Sequence, residues 1–112
     1  MKSDSASMSC ELSVVREQRG RHLILTVFGE LDLATTPLLK QHLENGWAED
    51  PTAVVLDLQG VRFIDSTGVR LIVETHERAI AENKRFSLRR LQRQVQRVCD
   101  LVGVSGRVPV DE

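Results

Sequence analysis

The chain has few aromatic residues and almost no excess charge, and each shortage excludes a class of protein. Its 112 residues include three Phe, one Trp and no Tyr. These are too few rings for the stacking platforms with which proteins bind single-stranded nucleic acid. The net charge of −1 gives the whole molecule no general attraction to DNA or RNA. We therefore expect an aliphatic core and no direct binding of nucleic acid.

Cysteine and histidine are also sparse. Cys10 and Cys99 lie far apart in the chain and match no metal-binding or redox spacing, and the three histidines are scattered. The sequence therefore predicts no metal site and no cofactor. We expect both cysteines to be reduced thiols of an intracellular protein, although the sequence leaves a redox role open.

No apolar run is long enough to span a membrane, and no signal-peptide core follows the N-terminus. We therefore expect a cytoplasmic protein without membrane contact. The length suits one domain, and nothing in the sequence indicates an oligomer, so a monomer is expected. Residues 1–9 contain four serines and little to bury, which predicts a flexible tail before a domain over residues 10–112.

Hydrophobic periodicity predicts alternating strands and helices. The predicted strands cover residues 12–16, 22–28, 53–58 and 86–88, with turns or loops at 17–20, 29–33 and 59–64. The predicted helices cover residues 36–47, 66–83 and 91–102, and an edge strand is possible within 104–110. The order β-β-α-β-α-β-α, with a possible last β, indicates one α/β domain with a small mixed sheet and helices packed against it.

The chain is organised around the sequence Asp-Ser-Thr-Gly at residues 65–68, between the central strand and the second helix. The free backbone N–H groups and the positive dipole end of a helix start favour negative charge. Ser66 is therefore a candidate site for phosphorylation. The alternative is that Ser66 is only the helix N-cap. Asp65 is expected either to position the Ser66 hydroxyl or to cap the helix itself.

Ser66 does not fit a hydrolase nucleophile. The nucleophile elbow needs Gly two positions before the serine and two after it, and Ile64 stands where the first Gly is required. No histidine has a motif relation to Ser66. The sequence therefore predicts no catalysis by this protein.

Three segments together resemble one known family. Residues 29–32 (Gly-Glu-Leu-Asp) precede the first predicted helix, residues 54–68 join the central strand to the Asp-Ser-Thr-Gly turn, and residues 95–103 form the last helix and its Gly stop. In this order they resemble the bacterial anti-sigma factor antagonists of the STAS family. The resemblance covers roughly residues 12–106.

The resemblance implies regulation by partner switching. Such an antagonist, when unphosphorylated, binds an anti-sigma factor that is also a serine kinase, and this binding frees a sigma factor. The resemblance implies that the kinase phosphorylates Ser66, with Thr67 as a secondary candidate, and that a serine phosphatase reverses the modification. The sequence identifies neither the sigma factor nor the signal. The alternative is a non-catalytic STAS scaffold or nucleotide-binding module in a stress-sensing complex.

The resemblance also indicates which residues contact the partner. The expected contacts are Asp32, Asp65, Ser66, Thr67, Gly68 and Arg70. Arg70 departs from the family, in which a run of small residues often follows the hydroxyls. We therefore expect Arg70 to affect the choice of partner.

A basic segment offers a competing interpretation. No acidic residue occurs over residues 84–98, and Arg89, Arg93 and Arg97 would share a helical face if the third helix began early. Such a patch is a requirement for nucleic-acid binding, but a solvated face or a docking surface for an acidic protein is favoured here. Asp57, in the central strand, is expected to be a strand-end carboxylate facing a loop.

Overall fold

The computed structural model describes residues 12–111, so the expected tail and Cys10 lie outside the described residues. The strands are β1 (Ser13–Arg19), β2 (His22–Leu31), β3 (Ala53–Ile64), β4 (Arg85–Arg89) and β5 (Val110–Asp111). The helices are α1 (Thr36–Trp47), α2 (Ser66–Ala81) and α3 (Arg93–Leu101), with a 3₁₀ turn at Val104–Gly106. The expected α/β order is confirmed.

The five strands form one mixed sheet in the order β1-β2-β3-β4-β5. Strand β1 pairs antiparallel with β2, and the other neighbours are parallel. Each parallel connection contains a helix and steps to the adjacent strand in the same direction. Because such crossovers are almost always right-handed, this order is the one that places the connecting helices on one face of a sheet. The carboxyl ends of β2 and β3 consequently share one edge.

The core is aliphatic, as expected. Its largest fully buried side chains are Leu, Ile and Val from the sheet and helices. Trp47 closes the end of α1: it is buried, and its indole N–H donates to Glu82 Oε1 at 2.9 Å. The guanidinium of Arg78 lies 4.6 Å from the centre of the indole ring and donates to Glu44 at 3.0 Å. These contacts join the carboxyl ends of α1 and α2.

Two predicted loops are continuations of strands. Residues 29–31 extend β2 and residues 59–64 extend β3, and the two extensions pair as far as Leu31 and Ile64. The pairing register shifts twice, between Thr26 and Phe28 and between Gly29 and Glu30. These irregularities interrupt the alternation of buried and exposed residues by which a strand is identified from sequence.

Smaller boundaries also differ from the prediction. The predicted turn at residues 17–20 is mostly strand, because β1 continues to Arg19 and the chain reverses at Gly20, whose φ is +63°. The predicted edge strand within 104–110 is a 3₁₀ turn followed by the two-residue β5. Pro109 contributes no N–H to the sheet, but its carbonyl accepts from the Leu88 N–H at 2.9 Å.

Asp57 is buried and forms ion pairs with two arginines. The prediction that it is a strand-end carboxylate facing a loop is therefore wrong. The side chain lies within β3 and is 0% exposed. Its Oδ2 accepts from Arg90 Nη2 at 2.6 Å and Arg89 Nε at 3.1 Å, and its Oδ1 accepts from the Gln59 N–H at 3.1 Å. Burial alone raises the pKa of Asp57, but the hydrogen bonds from Arg90, Gln59 and Arg89 outweigh it and the net pKa is lowered.

These ion pairs also show that the basic residues of the segment 84–98 do not form one surface. Helix α3 begins only at Arg93, so Arg89 does not share a helical face with Arg93 and Arg97. Arg89 and Arg90 neutralise Asp57, and Lys84 pairs with Asp50. The segment is therefore not a continuous basic stripe, which removes the main argument for nucleic-acid binding.

Candidate functional site

The candidate site lies where β2 and β3 end side by side. Leu31 and Ile64 form the last strand pair, and the Asp65 N–H then donates to the Leu31 carbonyl at 3.0 Å. This bond joins the loop before α1 to the loop before α2. The carboxyl edge of adjacent parallel strands is where α/β proteins commonly place their binding sites.

The first loop is folded by its own side chains. Asp32 Oδ1 accepts from the backbone N–H groups of Ala34 and Thr35, each at 3.0 Å. The Thr35 hydroxyl donates to the Glu30 carbonyl at 2.5 Å and accepts from the Asp32 N–H at 3.0 Å. One oxygen of Asp32 is thus used to shape the loop, and contact of this residue with a partner stays a prediction.

Asp65 is the N-cap of α2, so the interpretation of Ser66 as the cap is wrong. Asp65 Oδ1 accepts from the Thr67 N–H at 2.9 Å, from the Gly68 N–H at 3.4 Å and from the Thr67 hydroxyl at 2.5 Å. The bond from the Thr67 hydroxyl, followed by these backbone bonds, lowers the pKa of Asp65. A carboxylate next to Ser66 is therefore ionised at neutral pH.

The two neighbouring hydroxyls, Ser66 and Thr67, differ in availability. Ser66 is the first residue of α2 and its side chain is exposed. Within residues 12–111 it makes no side-chain hydrogen bond. Thr67 is half-buried, its hydroxyl bonds to Asp65, and its Oγ1 lies 3.5 Å from Thr36 Oγ1. The hydroxyl of Ser66 is therefore accessible to a modifying enzyme, whereas that of Thr67 is partly buried and already hydrogen-bonded.

Gly68 allows α2 to start directly on the strand ends. The residue is buried, and a Cβ atom there would lie 2.7 Å from Ile64 Cγ1 and 3.0 Å from Leu31 Cβ. The first distance is shorter than real Cβ atoms show, and the second is tighter than nine in ten real Cβ contacts. The absence of a side chain at Gly68 therefore lets the first turn of α2, and Ser66 with it, lie close to the sheet edge.

Two exposed apolar side chains near this edge were not identified from the sequence. Leu33 follows Asp32 and is 75% exposed, and Phe63 lies two residues before Asp65 and is 48% exposed. The exposure of Leu33 could have been predicted from its place as an apolar residue in a short acidic loop. The exposure of Phe63 could not, because residues 59–64 were predicted to be a loop, which assigns no direction to a side chain. Exposed apolar side chains around a polar centre are typical of protein-binding surfaces.

A groove of about 300 Å³ runs beside the site, between the first turns of α1 and α2. It is lined by Thr36, Pro37, Lys40, Thr67, Arg70, Leu71 and Glu74. The sequence indicated Arg70 but not Lys40, because only the packing of α1 against α2 brings the two cations to one groove. A larger cavity of about 450 Å³ includes His22, Ala53 and Arg85, at the opposite, amino-terminal ends of the strands.

No metal centre accompanies the site in the described part of the chain. Over residues 12–111, His, Cys, Asp and Glu do not form any group of three or more that is suited to hold an ion. His76 is half-buried on α2. Among the helices described, none combines the length and apolar character needed to cross a membrane.

Solved structures share this fold. A crystal structure of an anti-sigma factor antagonist from Mycobacterium paratuberculosis is 27% identical, covers 94% of this chain and 89% of its own, and gives a TM-score of 0.83. The anti-sigma factor antagonist SpoIIAA in its unphosphorylated form is 20% identical over 89% of each chain, with a TM-score of 0.75. The phosphorylated form of SpoIIAA, described as a Bacillus cell fate determinant, is 19% identical over 89% of this chain and 92% of its own, with a TM-score of 0.69.

Sequence comparison agrees with the structural matches. No curated protein sequence matches the chain at a significant level. The family model of the STAS domain matches residues 13–112, which include both loops of the candidate site. The chain belongs to the STAS domain family.

Proposed function

We propose that this protein is an anti-sigma factor antagonist that is controlled by phosphorylation of Ser66. The observation that carries the proposal is the exposed Ser66 hydroxyl, which makes no hydrogen bond to residues 12–111, beside the Thr67 hydroxyl, which is bonded to Asp65. The similarity to antagonist structures supports it, and the structure of one of those relatives, SpoIIAA, is of a phosphorylated form. In this proposal the protein works in the cytoplasm as a binding protein without catalysis of its own.

The chemistry of the switch belongs to the partners. An anti-sigma factor with serine kinase activity transfers the γ-phosphoryl group of a nucleoside triphosphate to Ser66 Oγ. The new Oγ–P bond forms, the bond to the nucleoside diphosphate breaks, and the hydroxyl proton passes to a base of the kinase. A serine phosphatase returns the hydroxyl by hydrolysis with water. Our chain contributes the acceptor oxygen and the surface that holds it in the kinase.

The unphosphorylated surface suits a protein partner. Leu33 and Phe63 offer apolar area close to the Ser66 loop, and Asp32 and Asp65 supply carboxylates at its centre. Bound kinase would cover the apolar side chains and take the Ser66 hydroxyl into its active site. The anti-sigma factor then releases its sigma factor, because the antagonist has occupied it.

Phosphorylation is expected to weaken this complex and to leave the fold intact. The phosphate adds about −1.5 to −2 charge units at neutral pH next to the ionised carboxylate of Asp65. Burying this added charge against a partner costs desolvation energy. Within the free protein the phosphate lies at the first turn of α2, where the helix dipole favours negative charge.

The first experiment is affinity capture from a bacterial lysate. Wild-type protein, Ser66→Asp and Ser66→Ala serve as three matched baits, and bound proteins are identified by mass spectrometry. We expect wild type and Ser66→Ala to capture an anti-sigma factor with a kinase fold, and Ser66→Asp to lose it. Equal capture by all three baits would contradict phosphorylation control and favour a scaffold function.

A further inference from the structure

The groove between α1 and α2 carries two cations without carboxylate partners. Over residues 12–111, no Asp or Glu oxygen lies within 4.0 Å of the charged nitrogens of Lys40 or Arg70, although nine of the other Arg and Lys side chains make such pairs. Both cations line the groove beside the candidate site. An anionic group therefore has two cationic ligands available there.

The groove also holds a buried hydroxyl. Thr36, at the start of α1, is only 8% exposed and lines the groove. Its Oγ1 has a single hydrogen-bond partner in the described part of the chain, Thr67 Oγ1 at 3.5 Å. A buried hydroxyl with so long a bond retains hydrogen-bonding capacity toward a group that enters the groove.

A phosphoryl group on Ser66 would be such an anionic group, close to the groove. Ser66 and Arg70 are four residues apart on α2, so their side chains are neighbours on one helix face. Arginine binds phosphate with two parallel hydrogen bonds. Glu74 is the carboxylate that lines the groove, but it lies eight residues from Ser66, about 12 Å further along the helix axis.

We propose that the Lys40–Arg70 groove is a receptor for the phosphoryl group on Ser66, with Arg70 as its main ligand and Lys40 as its second. The inference rests on the proposed function and adds an intramolecular event to it. When Ser66 is phosphorylated, Arg70 turns to the phosphate and leaves the partner-facing surface. Phosphorylation then removes a cation from the docking surface as well as adding an anion. It also stabilises the first turn of α2.

The test places phosphoserine at position 66 of the full chain by genetic encoding, so neither kinase nor partner is needed. The phosphate is titrated by ³¹P NMR in wild type, Arg70→Gln and Arg85→Gln. Arg85 is a matched control: it is exposed, and it pairs in the sheet with Ala53, at the far end of β3 from Ser66. If Arg70 binds the dianion, the phosphoserine pKa is lower in wild type than in Arg70→Gln by about half a pH unit.

The control and two further variants separate a specific Arg70 contact from a general effect of charge. Arg85→Gln should titrate like wild type, and Lys40→Gln should give a smaller rise of the phosphoserine pKa than Arg70→Gln. Arg70→Lys should restore part of the difference, since it keeps the charge but loses the paired hydrogen bonds. Identical titration curves for wild type and Arg70→Gln would overturn the receptor. That result would leave the proposed function standing, because capture of the partner by unphosphorylated protein is measured separately.

Discussion

Thr67 donates its hydroxyl hydrogen bond to Asp65 Oδ1 at 2.5 Å, across the intervening Ser66. The same oxygen accepts the Thr67 N–H at 2.9 Å. Two adjacent hydroxyl residues at one helix start thereby have different chemistry. Thr67 is used to close the cap of α2, and Ser66 is left exposed to solvent.

Removing the cap should destabilise the protein and release Thr67. Asp65→Ala should lower the free energy of unfolding by about 1 kcal/mol, the usual cost of a lost N-cap. Urea unfolding followed by the fluorescence of Trp47, the only tryptophan, measures this cost. Asp65→Asn is the matched control, because it retains an acceptor oxygen and should lose clearly less stability. Equal losses in both variants would show that the charge of Asp65, and not its hydrogen bonding, matters.

Gly68 should not tolerate even a methyl group. Gly68→Ala would place its Cβ 2.7 Å from Ile64 Cγ1, so we expect a loss of about 1–3 kcal/mol from overpacking. This loss opposes the better helix propensity of Ala. Gly106→Ala is the control, since nothing lies within 4 Å of a Cβ there, and it should stay within about 0.5 kcal/mol of wild type. Equal stability of the two variants would contradict the close packing of α2 on the strand ends.

The buried carboxylate of Asp57 should contribute to stability in a pH-dependent manner. Asp57→Asn removes charge-assisted hydrogen bonds to Arg89 and Arg90 and should cost about 2 kcal/mol at pH 7. Because the folded pKa of Asp57 is lowered, its contribution is fully present above the unfolded pKa of about 3.9 and is lost as pH falls through the folded value.

Unfolding in urea at several pH values measures this contribution. The stability difference between wild type and Asp57→Asn should be constant from pH 7 to about pH 5 and should shrink below about pH 4. Asp111→Asn changes an exposed carboxylate that bonds to Ser87 and should stay near wild type throughout. If the stability difference between wild type and Asp57→Asn grew as the pH fell, the result would contradict a stabilising, ionised Asp57.

The thiol of Cys99 should react very slowly with labelling reagents in the folded protein. Its side chain is fully buried, and burial, with a smaller contribution from Asp100, raises the pKa of its thiol. In a Cys10→Ser background, labelling of Cys99 by an aromatic disulfide reagent should be more than about 100-fold slower in the native state than in urea. Rapid labelling of native protein would show that the α3 region opens far more readily than its burial indicates.

The order and type of the elements could be predicted because, in most of them, apolar residues recur at the regular spacing of a strand or a helix. The helix over Thr36–Trp47 has a Pro in its first turn and a regular apolar face, and its predicted bounds are those observed. The sequence from Asp65 to Gly68 was equally informative, because a strand and a helix flank it. The family followed from these local patterns together.

The parts that could not be predicted depend on contacts between distant segments. The ends of β2 and β3 contain polar residues and shifts of register, so only their pairing identifies them as strand. Asp57 is far in sequence from Arg89 and Arg90, whose guanidinium groups bond to its buried carboxylate. Lys40 likewise reaches the site only through the packing of α1 on α2.

Phosphorylation control by Ser66 is tested most directly by locating the phosphate and measuring its effect on binding. The captured kinase phosphorylates the purified protein with a nucleoside triphosphate, peptide mass spectrometry locates the phosphate, and calorimetry compares the affinity of both forms for the kinase. We expect phosphate on Ser66, none on Thr67 in the wild-type chain, and at least a tenfold weaker complex, equivalent to about 1.4 kcal/mol. Phosphate mainly on Thr67, or unchanged affinity after modification of Ser66, would contradict phosphorylation control by Ser66.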